Sequence, residues 1–203
     1  EKKGGDQILK KVPRENPGIL EEILIEKQIP FDKFEIADIL QIADITNYSA
    51  FVVLGGPASA NDEESLMLLE LDLIRKAVDA GIPYFGICLG LQTLVKAMGG
   101  DVVKCPFPEV GFRDPSGEFY KISLTQEGMQ DPIFIDFPDT FIVFELHGEM
   151  AALKKEMVLL AKGEGCTNQV VRIGRNAYGI QCHFELNDEL LETWILEDAD
   201  LMK

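Results

Sequence analysis

The chain has 203 residues, 46% hydrophobic and 8% aromatic, and carries 35 Asp and Glu against 19 Lys and Arg, for a formal net charge of −16. Such apolar content is too rich for disorder, and the length suits one globular domain with a sizeable core. So acidic a chain lacks the Lys and Arg that neutralise phosphates, which excludes nucleic acid and anionic membrane surfaces as partners.

In chain order, the opening Glu1-Lys2-Lys3-Gly4-Gly5 has no apolar core followed by a small-residue cleavage site, so secretion is unsupported. Residues 7–12 read as a strand that Lys10 and Lys11 make unusually polar, and Pro13-Arg14-Glu15-Asn16-Pro17-Gly18 reads as a turn. A helix is predicted over 19–27 and a strand around Phe31, Phe34 and Ile36. A short buried parallel strand over 50–54 runs into Gly55-Gly56-Pro57. From 64 to 80 the spacing of Leu66, Leu69, Leu73 and Val78 predicts a long helix with a broad apolar stripe, stopped by Gly81. Residues 83–87 read as another buried strand and 89–98 as a helix closed by Gly99-Gly100. The uncharged run 80–95 spans 16 residues and is broken by Gly81, Pro83, Gly86 and Gly90, so it is too short and too interrupted to cross a bilayer.

The second half is strand-heavy, with short strands predicted over 119–124, 141–144, 157–161, 170–173 and 177–183 and a hairpin turn at Arg175-Asn176. An acidic helix follows from about Asn187, its solvated face formed by Asp188, Glu189, Glu192, Glu197, Asp198 and Asp200. The expected fold is a single three-layer α/β domain over 1–203. Its mostly parallel twisted sheet has helices on both faces and some antiparallel extension strands, with a site at the strands' carboxyl ends. The four cysteines are widely spaced and form no C-x-x-C pair, which reads as reduced thiols of a cytoplasmic protein. Cys105 and Cys166 read as structural and Cys182 as pointing into packing; soft-metal spacing is absent, so no metal site and no cofactor are expected.

Gly86-Ile87-Cys88-Leu89-Gly90, between a buried strand and a helix, is a thiol version of the G-x-S-x-G nucleophile elbow. The nucleophile must sit on a sharp, strained turn, and flanking glycines let neighbouring backbone pass without Cβ collisions. The helix that begins at Leu89 aims free N–H groups and its positive end at the thiol, favouring thiolate and able to hold an oxyanion. The chain's two histidines, His147 and His183, are the candidate bases. His183 has the better setting, because Glu185 at i+2 of an extended segment faces the same side and can fix the ring's tautomer. His147 reads as a structural, loop-organising residue that can still line the substrate pocket.

These residues, in this order, resemble the class I glutamine amidotransferases, and among them stand-alone relatives of the amidotransferase domain of GMP synthetase. The resemblance rests on Val52-Val53-Leu54-Gly55-Gly56-Pro57, Gly86-Ile87-Cys88-Leu89-Gly90-Leu91-Gln92, Glu109-Val110-Gly111-Phe112, Val143-Phe144-Glu145-Leu146-His147-Gly148-Glu149 and residues 179–185. It implies a Cys88–His183–Glu185 triad, oxyanion donors from the backbone N–H of Gly56 and Leu89, and substrate contacts from Gly55 and Gln92. The implied reaction is hydrolysis of the glutamine side-chain amide through a cysteine thioester, with ammonia passing to a separate synthase, since no P-loop or other nucleotide signature is present. A γ-glutamyl peptidase would use the same triad on a larger leaving group, and a non-catalytic thiol or regulatory module would keep the elbow without a reachable imidazole. Two positions depart from the family pattern: Phe184 replaces the usual proline between His183 and Glu185, and Glu149 stands where Asp commonly follows His-Gly.

Overall fold

Strands covered on both faces must be apolar throughout, a demand that Phe51, Val52 and Val53 meet at the centre of the sheet, where all three are buried. The computed structural model describes residues 5–42 and 44–197; Glu1–Gly4, read above for a leader, and the acidic Asp198 and Asp200 lie outside the described residues. The elements are β1 (Asp6–Lys10), α1 (Ile19–Glu26), β2 (Phe31–Glu35), β3 (Ala50–Val53), α2 (Ser65–Asp79), β4 (Tyr84–Ile87), α3 (Leu89–Ala97), β5 (Asp101–Gly111) and β6 (Lys121–Leu124). They continue with α4 (Gln126–Gln130), β7 (Thr140–Ile142), β8 (Glu145–Ala152), β9 (Val158–Lys162), β10 (Val170–Ile173), β11 (Ala177–Ile180) and α5 (Asp188–Glu197).

Nine strands form one sheet in the order β2-β1-β3-β4-β11-β10-β9-β6-β7. The first five run parallel, and β10, β9, β6 and β7 extend them by antiparallel pairing. Side chains alternate across a strand, so neighbours enter different layers. Leu9 and Val53 pack with Ile74 of α2 and Leu91, Leu94 and Val95 of α3, whereas Ile8 and Val52 pack with Leu24 of α1 and with Phe134. The turn between β10 and β11 is Gly174-Arg175-Asn176, where Gly174 takes a positive φ of 61°. Among the described residues no helix is long and apolar enough to cross a membrane.

Three differences from the sequence expectation have physical causes. The polar lysines of the first strand are buried and paired: Lys11 with Glu70 of α2, and Lys10 with the Pro13 carbonyl at 3.1 Å and Glu35 at 3.5 Å. The strand predicted over 177–183 stops at Ile180, because the Cys88 N–H donates the last ladder bond to the Ile180 carbonyl, at 2.7 Å, just as the β4 chain turns into α3. Residues 181–185 are therefore irregular. The antiparallel ribbon of β5 and β8 was not expected at all: Pro106 and Pro108 interrupt β5, and its register shifts between Lys104 and Glu109.

Candidate active site

The elbow is built by close approach. A Cβ at Gly86 would lie 2.3 Å from the Gly90 carbonyl oxygen and one at Gly90 would lie 2.1 Å from that of Val53, so a side chain at either position would push β3, β4 and α3 apart. Cys88, wedged between them, takes φ 53°, the left-handed region that a side-chain-bearing residue adopts at a cost of order 1–3 kcal/mol. The Leu89 N–H, at the first position of α3, is one that a helix leaves without an intrahelical acceptor. Gly56 faces the same pocket, and a Cβ there would strike the Lys11 side chain at 2.6 Å, which ties the loop after β3 to the buried Lys11–Glu70 pair.

His183 Nδ1 and Glu185 Oε1 are 2.6 Å apart, both side chains buried. Their approach does not rest on strand alternation. The His183 N–H donates to the Phe144 carbonyl at 2.9 Å, the Ile19 N–H donates to the Glu185 carbonyl at 2.8 Å, and the Phe184 ring packs on Phe141, anchoring the segment where a proline would have stiffened it. The Trp194 and His183 rings pack nearly perpendicular, with centroids 4.8 Å apart. Among the described residues no hydrogen-bond donor or acceptor is aligned with Nε2 of His183. Burial by itself lowers the imidazole's proton affinity, but the Glu185 carboxylate and the neighbouring Cys88 sulfur more than offset it, holding the ring well above its ordinary pKa. A Cβ at Gly55 would lie 3.5 Å from both Cys88 Cβ and His183 Cε1, so this glycine sits against both side chains.

Cys88, Gly56, Leu89, Gln92, His147 and His183 share one cavity of about 580 Å³. The Cys88 thiol lies 3.7 Å from the Leu146 carbonyl and accepts from Gln181 Nε2 at 3.6 Å. Gln92 directs its amide nitrogen to the Glu149 carbonyl at 2.9 Å and to Gln181 Oε1 at 3.1 Å, binding α3 to β8. Glu149, the longer acid at the family's Asp position, accepts from Ser59 Oγ at 2.7 Å and so links β8 to the loop after β3.

His147 lines the cavity but directs its ring into a second buried cluster. Nε2 lies 3.1 Å from Glu109 Oε2 and 3.2 Å from Glu145 Oε2, while Nδ1 lies 3.0 Å from the Glu149 carbonyl and 3.5 Å from Cys105 Sγ. Burial opposes charge on this ring, yet Cys105, Glu109 and Glu145 push its pKa up to about 12. Cys166 completes the cluster: one ligand atom each from Glu109, His147 and Cys166 lies within 4.8 Å of the others. Sequence reasoning missed Glu109, Glu145 and Cys166 as functional candidates, and also Trp194. Glu109 and Glu145 stand inside motifs already noted, but nothing local signals that they meet.

Comparison with known proteins agrees with this fold. Residues 22–200 match the family model "Glutamine amidotransferase class-I". A glutamine amidotransferase-like protein of Salmonella typhimurium, YfeJ, is 35% identical over 150 residues, which are 71% of this chain and 60% of that protein. The GMP synthase [glutamine-hydrolyzing] of the same organism is 30% identical over 148 residues, 72% of this chain but 27% of that protein. The crystal structure of a glutamine amidotransferase from Thermotoga maritima superposes with a TM-score of 0.84 at 28% identity, covering 96% of this chain and 82% of that one. The chain belongs to the class-I glutamine amidotransferase family. It spans less than two thirds of the length of either Salmonella relative.

Proposed function

We propose that the chain hydrolyses the side-chain amide of glutamine to glutamate and ammonia through a thioester on Cys88, the ammonia passing to a separate acceptor enzyme. The observation that carries this reading is the buried His183–Glu185 pair, at 2.6 Å, beside a thiol on a strained elbow. Glu185 holds Nδ1, and with its pKa raised the ring takes the thiol proton on Nε2. The thiolate attacks the amide carbon, and the resulting oxyanion is received by the N–H groups of Gly56 and Leu89. One such donor is worth about 10²–10³ in kcat. The C–N bond breaks as His183 gives its proton to the departing ammonia; a water that His183 then deprotonates cleaves the thioester, releasing glutamate and restoring the thiol. Gly55 and His147 border the substrate, and Gln92 serves it by holding the β8 wall through the Glu149 carbonyl.

The cavity, at about 580 Å³, lies within the roughly 300–1,000 Å³ range of sites for drug-sized ligands and is roomier than a single amino acid needs. That favours, as a second reading, a γ-glutamyl amide with a larger leaving group cleaved by the same residues. A non-catalytic thiol module would leave Cys88 without an imidazole in reach, and His183 beside it tells against that.

Incubation with glutamine and with γ-glutamyl peptides, with ammonia, glutamate and released amine measured separately, tests both readings. Ammonia and glutamate in equal amounts from glutamine support the first. Amine release from the peptides without turnover of glutamine supports the second, and no product from either substrate overturns both.

A further inference from the structure

Behind His147, the one member of its cluster that borders the substrate, Glu109, Glu145 and Cys166 lie outside the lining of the nucleophile's cavity and take no part in the reaction above. Two of the cluster's oxygens, Glu109 Oε2 and Glu145 Oε2, lie 3.1 and 3.2 Å from His147 Nε2, and all three atoms are buried with no aligned hydrogen bond among the described residues. All three side chains are 4% exposed or less. A proton on Nε2 supplies one N–H for two carboxylate oxygens and is aligned with neither, whereas buried charges ordinarily require complete pairing.

We propose that Glu109, His147 and Cys166 form a binding site for one divalent cation of borderline softness, of which zinc is the type. The donor set decides the class: an imidazole nitrogen and a thiolate with a carboxylate suit zinc and its congeners, whereas magnesium and calcium take oxygen donors throughout. Spacing agrees as well. With metal–ligand bonds of about 2.0–2.1 Å, the edge of a tetrahedron is about 3.3 Å, and His147 Nε2 and Glu109 Oε2 are 3.1 Å apart. The surroundings are those a metal site needs. His147 presents Nδ1 to the Glu149 carbonyl at 3.0 Å, leaving Nε2 for the ion, and Glu145 accepts at its other oxygen from Gln169 Nε2 at 2.7 Å. Cys166 arrives on the loop that contains Gly163 and Gly165, and Gly165 is packed so closely that a Cβ there would lie 2.3 Å from Glu109 Oε1. Leu146, whose carbonyl lies 3.7 Å from the Cys88 sulfur, adjoins the ligand His147 in β8. The ion therefore fixes one wall of the active site without entering the chemistry.

The test uses Cys88→Ser protein, so that the nucleophile neither binds metal nor has to turn over. Failure here is then separate from failure of the glutaminase reading. After equilibration with zinc chloride and gel filtration, elemental analysis is expected to find one zinc ion per chain. Cobalt(II) is expected to give the visible bands of a tetrahedral site with a sulfur-to-cobalt charge-transfer band. Cys166→Ser should abolish the charge-transfer band, and Gln169→Leu, which frees Glu145 without touching the ion, should weaken affinity about 10- to 100-fold. Circular dichroism establishes that each variant is folded. Absence of stoichiometric zinc and of cobalt bands in folded Cys88→Ser protein would overturn the proposal, as would a charge-transfer band that survives Cys166→Ser unchanged.

Discussion

His183 and Glu185 share a 2.6 Å contact although no strand runs through them. The backbone bond from His183 to Phe144, the packing of Phe184 on Phe141 and the perpendicular contact with Trp194 replace the regular geometry that a strand would have given. If Glu185 orients the imidazole, Glu185→Gln should lower kcat by about 10²- to 10⁴-fold, the range that positioned acid–base groups contribute, with KM little changed. Steady-state kinetics on glutamine measures this, and a rate within a few-fold of wild type would remove Glu185 from the mechanism.

The same pair makes stability depend on pH with a definite sign. Burial alone would lower the pKa of His183, and Glu185 with Cys88 reverses that, leaving it well above 6.5. A group that binds its proton more tightly in the folded state contributes stability that is full below its unfolded pKa and fades as pH rises through the folded one. The gap in melting temperature between wild type and His183→Gln should therefore be widest below pH 6.5 and narrow in the alkaline range. A gap that widens with rising pH has the wrong sign for this pairing.

Backbone crowding at the elbow predicts a cost that depends on volume alone. Gly90→Ala places a methyl 2.1 Å from the Val53 carbonyl oxygen, and relief requires β3 and α3 to separate. Overpacking of this kind costs typically about 1–3 kcal/mol, and for a chain of this size each kcal/mol lowers Tm by roughly 2–4 °C. Calorimetry should show that fall, with activity lost beyond it because Cys88 is displaced.

Lys11 and Glu70 form a buried ion pair beneath the loop that carries Gly56. Burial lowers the Lys11 pKa and Glu70 opposes that. Removing one partner strands the other, so Lys11→Met and Glu70→Leu should each cost about 3–5 kcal/mol, while the double variant should recover most of the loss. Denaturant titration of the four proteins gives the coupling directly, and additive losses would mean that the pair is not coupled.

How much could be read in the sequence follows the range of the interactions. The elbow is local: Gly86, Cys88 and Gly90 sit on one strand–turn–helix, and their spacing carries the steric demand. Of the five parallel strands, β3 and β4 were the most legible, because burial on both faces makes them continuously apolar. The β5–β8 ribbon was not, since Pro106 and Pro108 interrupt it and most of β5 is exposed, leaving no alternation to detect. Lys10 and Lys11 were visible as an anomaly, but the partner of Lys11 lies on α2, far along the chain. Glu109, His147 and Cys166 meet from three separate segments, so no spacing rule could join them.

The central claim is that Cys88 is the nucleophile for a glutamyl carbonyl, and labelling with an electrophilic glutamine analogue tests it most directly. Peptide mass spectrometry should find one adduct, on Cys88, which excess glutamine suppresses and Cys88→Ser abolishes. Modification that leaves Cys88 untouched, or that falls only on the partly exposed Cys105 with no protection by glutamine, would contradict it.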